Sequence, residues 1–64
     1  MTKQEVIDIY AVDGTDITRP EIRAELIEKS QMVLAAIESV GTIEEREAAH
    51  QFINSVLEVL NNWD

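Results

Sequence analysis

Glu47-Ala48-Ala49-His50 is the spacing in this chain with a catalytic precedent. On a helix an E-x-x-H sets a carboxylate and an imidazole one turn apart, and in di-metal carboxylate bundles such pairs project inward to hold two ions. The surrounding pattern argues against that use. At about 100° per residue, Glu47 and His50 lie on average about 150° from the centre of the apolar stripe of their own helix, so both are expected to face water. The preceding helix offers no inward Glu to complete a carboxylate set.

Other chemistry is equally unsupported. Glu44, Glu45 and Glu47 crowd the start of a helix, where negative charge favours the dipole. No acid pair sits in an apolar setting that would split the pKa values into acid and base roles. Ser30 and Ser39 have no His placed to activate them, and Asp13-Gly14-Thr15-Asp16 is too short for a calcium loop. There is no Cys, which removes disulfides and thiolate metal sites together. The reading is of a non-enzyme with no cofactor and no metal.

The elements that would position any site are marked by three Thr-x-x-Glu capping boxes: Thr2 to Glu5, Thr18 to Glu21 and Thr42 to Glu45. At the second, Ile17 and Ile22 can form a hydrophobic staple and Pro20 supplies a pre-set φ. Residues 1–17 read as an accessory segment and turn. The cap favours a short helix from Lys3 to about Tyr10, while Val6, Ile7, Ile9 and Tyr10 have strand propensity, so a short strand is the alternative. Asp13-Gly14 ends either form. Residues 18–62 read as an antiparallel helical hairpin, with its link at Val40-Gly41-Thr42 and each arm roughly 30 Å long.

The first arm aligns Ile22, Leu26, Val33, Ile37 and Val40 as its core stripe, with Ile27 and Leu34 on a second line beside Arg23 and Ser30. The second arm centres on Ala49, Phe52, Val56, Leu60 and Trp63, widened by Ile53 and Leu57 on one side and by Ala48 and Val59 on the other. Each arc is broader than one partner helix covers. A chain of 64 residues without disulfides is marginal alone. The expected class is therefore all-α, a hairpin with a short N-terminal element, pairing into a four-helix-bundle homodimer. A three-helix monomer is the competing form. The surplus apolar residues Ile27, Leu34, Ile53 and Leu57, with Trp63 and Tyr10 as aromatic anchors, are the expected partner or dimer interface.

The net charge of −8 repels phosphate backbones and anionic lipid at long range. No apolar run approaches a membrane span, and Met1-Thr2-Lys3-Gln4-Glu5 lacks the apolar core of a signal peptide, so the expected location is the cytoplasm. That opening and the overall size resemble the Rop family of plasmid-encoded helical-hairpin dimers, which bind paired RNA loops. The resemblance implies an RNA-binding alternative, with Arg19, Arg23 and Lys29 as the available cations. The pattern departs from that family at Asp13-Gly14, where a turn precedes the long helix, and no RNA-binding residue carries over. The leading expectation is a small acidic regulator, adaptor or inhibitor that binds itself and another protein. A structural assembly subunit is the third option.

Overall fold

The computed structural model describes residues 1–63, and its order is α1 (Lys3–Ala11), α2 (Pro20–Ala36), a 3-10 turn (Ile37–Ser39) and α3 (Ile43–Asn61). The chain is all-α, and the ambiguous N-terminal stretch is helical. Its capping box forms in full: Glu5 N donates to Thr2 Oγ1 at 3.2 Å, and Thr2 N donates to Glu5 Oε1 at 3.0 Å. These two bonds satisfy amides that have no partner inside the helix, which is how a nine-residue segment rich in β-branched residues holds its first turn. We expect Thr2→Ala to lower the unfolding free energy by about 1 kcal/mol, read as a shift in the urea midpoint with an unchanged slope.

Gly14 ends α1 with φ of 75°. Thr15 N reaches back to Tyr10 O and Gly14 N to Ala11 O, the paired bonds of a Schellman closure, which needs a left-handed residue at Gly14. Val12, inside the closure, points to solvent and is exposed.

The second capping box does not form. The residue before a proline is pushed out of the helical region, and Arg19 accordingly sits extended at φ −82°, ψ 126°, as the N-cap of α2. Thr18 is then one residue too early to cap. Its hydroxyl and its amide both bond to Asp16 Oδ1 instead, while Glu21 turns to Arg19 at 2.6 Å. Of the residues expected to form the staple, Ile17 is buried and Ile22 packs against the same core.

α2 also stops earlier than the periodicity suggests. It ends at Ala36, the 3-10 turn follows, and Val40 is extended at φ −127°, ψ 151° before Gly41 at φ 75°. Thr42 caps α3 by accepting from Glu45 N at 3.1 Å, but the expected box is only half formed, because the Glu45 carboxylate takes the Thr42 hydroxyl and not the Thr42 amide. Arg46 Nη1 donates to Glu38 O at 2.7 Å, tying the link to the first turns of α3. The Arg23 guanidinium of α2 lies 4.7 Å from the centre of the Trp63 ring, just beyond the end of α3.

The fully buried core is small: Val6 from α1, Ile17 from the α1–α2 link, and Val56 and Leu60 from α3. Ile7, Tyr10, Ile22, Leu26, Ile27, Val59 and Trp63 pack around it. All of these lie toward the end of the molecule where the termini meet. α1 packs on α3, and α2 packs on α3 and on the 3-10 turn. Ser30, midway along α2 and buried, falls on the line of Ile27 and Leu34, so that line forms the α2–α3 seam. The stripe of Ile22, Leu26 and Val33 is rotated off the seam onto an adjoining face.

Candidate functional site

That adjoining face continues onto α3. Phe52 lies one turn before Val56 and two before Leu60 on α3, and Val33 lies two turns beyond Leu26 on α2, so each continues an apolar line whose other part packs in the core. One half of the face is covered. Val6 of α1 and Ile17 seal Val56 and Leu60, and Tyr10 approaches Ile22 and Leu26. The other half is bare: Val33 is 45% exposed, Phe52 44% and Val40 57%. The cause is length. α1 has nine residues, about 14 Å, against nineteen in α3, about 28 Å, so it cannot reach the far half.

The expectation that Val33, Val40 and Phe52 belong to the core is therefore corrected. α2 presents two apolar lines; the Ile27–Ser30–Leu34 line takes the seam, and the other line depends on α1, which runs out. Ala36, Ala48 and Ala49 flank the bare half by helical position. At its tip Ile37, Val40, Gly41, Glu45, Arg46 and Ala49 line a shallow depression of about 360 Å³. Met32 and Ile43 are also exposed nearby in the chain.

The residues expected to form the interface are placed as follows. Ile27, Tyr10 and Trp63 are half-buried against the core, and Leu34, Ile53 and Leu57 are half-buried as well. Burial pushes the Tyr10 phenol above its ordinary pKa, and the charge on Asp13 adds to the shift. The uncovered apolar surface thus falls on neighbouring lines of the same two helices.

Each cation has an internal partner. Lys3 Nζ lies 4.8 Å from the Trp63 ring centre, beside the Arg23 contact already described. Arg23 Nη1 also donates to Ile17 O at 3.1 Å and Thr18 O at 2.8 Å, fastening the link that carries Ile17. Arg19 pairs with Glu21 and Lys29 with Glu25 at 3.2 Å. Arg46 holds Glu38 O. Arg19, Arg23 and Lys29 are not gathered into an open basic strip.

Glu47 is exposed, as its helical position requires, but His50 is half-buried. The 3-10 turn swings Glu38 over the side of α3, where its Oε1 is 3.8 Å from His50 Nε2. Glu38, Ile43, Arg46, Glu47, His50 and Gln51 line a second shallow depression, on the side of α3 away from Phe52. Among the described residues no three His, Asp or Glu side chains gather to hold a metal ion. Among the described residues no helix is long and apolar enough to cross a membrane.

Two exposed carboxyls are held below their ordinary pKa by hydrogen bonds: Glu5 by the Thr2 amide and hydroxyl, and Asp16 by the Thr18 hydroxyl and amide. A pKa depressed on folding contributes stability above the unfolded value, and that contribution is lost as pH falls through the folded one. We expect the melting-temperature gap between wild type and Asp16→Ala to be present at neutral pH and to close below the ordinary carboxylate range. Circular dichroism melts at several pH values measure it; a gap independent of pH would refute the account.

Comparison with family models, curated proteins and solved structures finds no match to this chain.

Proposed function

We propose that this chain is a small non-enzymatic protein-binding module, of the regulator, adaptor or inhibitor kind, acting through the bare half of the face shared by α2 and α3. The observation that carries it is the exposure of Val33, Phe52 and Val40 on a stripe that α1 buries farther along. A patch of this kind costs solubility unless it is covered at work, and apolar surface at the centre of an interface supplies most of the binding free energy. The remaining surface is acidic, which keeps the free protein in solution.

A second reading is self-association, with two helical hairpins pairing face to face as a four-helix bundle. The small residues Ala36, Ala48 and Ala49 favour it, because they let helices approach closely. The nucleic-acid reading has weaker support, since Arg19, Arg23 and Lys29 would have to leave Glu21, the Ile17 and Thr18 carbonyls and Glu25 to meet phosphate.

The test is sedimentation of wild type and the Val33→Ser/Phe52→Ser double variant, followed by affinity capture with each as bait. Both positions are already half-exposed, so the variant should keep its fold. A protein retained by wild type and lost by the variant supports the module; equal retention sinks it. A mass of two chains that falls to one in the variant supports the bundle. Nucleic acid recovered at low salt, and lost when Arg19, Arg23 and Lys29 are replaced, would favour the third reading.

A further inference from the structure

We infer that the bare half of the face takes a cationic amphipathic helix from another protein, about three turns long, in the manner in which α1 occupies the covered half. The inference rests on the binding reading above and names the partner's chemistry.

Three observations carry it. First, the face already accepts a helix: α1 lies on α3 and delivers Val6, fully buried, onto Val56 and Leu60. The stretch of α3 from Glu45 to Phe52, on one line of the helix, is about 12 Å long, close to the length of α1. Second, Ile37, Val40 and Ala49 line a shallow depression at the tip, and by helical position the exposed Val33 and Phe52 extend its apolar surface, which suits apolar residues at helical i, i+3, i+4 and i+7 spacing.

Third, the charge selects the partner's sign. Glu45 lies two turns before Phe52 on the same line of α3, with Glu44 beside it, and both are exposed. Arg46 also lines the tip and keeps its charge, turned toward the Glu38 carbonyl, while Lys29 is paired with Glu25, so the negative balance comes from Glu44, Glu45 and the chain as a whole. The whole chain carries −8. A second copy would bring another −8 to the interface, whereas a helix with Lys or Arg flanking its apolar stripe meets Glu44 and Glu45 and is drawn in by the long-range field.

The probe is an amidated peptide of about five helical turns with Leu at helical spacing and Lys elsewhere, titrated into isotope-labelled protein and followed by amide chemical shifts. Its controls are a scrambled peptide of the same composition, a version with Glu replacing Lys, and the Val33→Ser/Phe52→Ser protein. The expected result is shifts centred on Val33, Ile37, Val40, Ala49 and Phe52, with affinity at least about tenfold above the scrambled peptide. Binding is expected to weaken with added salt and to be lost in the variant.

Equal binding of the scrambled peptide would mean charge attraction alone and would overturn the inference. Equal binding of the Glu peptide would overturn the partner's sign while leaving the face as a binding surface. Absence of binding by a chain that sediments as a dimer would hand the face to a second copy and overturn it as well. Peptide binding unchanged in the variant would remove both this inference and the module reading.

Discussion

Ile17→Ala is expected to cost about 3 kcal/mol, enough to leave a large part of the population unfolded at room temperature. The side chain is 1% exposed and sits among Val6, Val56 and Leu60, the other fully buried apolar side chains of the core. Truncating a buried Ile loses its transfer free energy and opens a cavity, and relaxation recovers only part of that. A chain this short has little reserve against such a loss. The link around Ile17 gives little room to relax, because Arg23 clamps the Ile17 and Thr18 carbonyls and Asp16 holds Thr18. Urea denaturation followed by circular dichroism measures the effect. A loss below about 1 kcal/mol would show that the link collapses onto the cavity and that the core does not depend on the Ile17 side chain.

Deleting residues 1–15 is expected to unfold the chain at low micromolar concentration. The deletion removes Val6, Ile7 and Tyr10 together and exposes Val56 and Leu60, so the face shared by α2 and α3 becomes bare along its whole length. Neither long helix then buries enough apolar surface to offset the entropy of ordering it. The measurement is helical ellipticity against protein concentration. Persistence of a monomeric helical species would contradict the dependence on α1. Recovery at high concentration, with a doubled mass, would show that a second hairpin can replace α1.

Much of this architecture was legible in the residues. The caps at Thr2 and Thr42, the turn at Gly14 and the break at Gly41 are local devices, and each appears where its chemistry places it. Thr18 illustrates a conflict between two local rules: its capping pattern is complete, but Pro20 fixes the preceding residue as extended and the proline prevails. The rotation of α2 was not legible. Its two apolar lines have similar hydrophobicity, and periodicity cannot say which one meets α3; in the fold it is the line carrying the buried Ser30. For the same reason the uncovered surface fell on Val33 and Phe52 instead of Leu34 and Ile53. The seating of Ile17 in the core had a faint signal, an Ile isolated among turn-forming residues, which reads as a staple until the fold shows how deeply it is buried.

Trp63 gives the molecule a built-in optical reporter. It is the chain's single tryptophan, and two cations from different elements, Lys3 at the start of α1 and Arg23 in α2, rest against its indole. Emission from a lone indole depends on nearby charge and on hydration, so its wavelength and intensity follow whether α1 is seated without any label being attached. The bare half of the apolar face lies at the opposite end of α3. A ligand that only covers that half should therefore leave the emission nearly constant, while one that displaces α1 should change it, and a cuvette titration separates the two modes of binding.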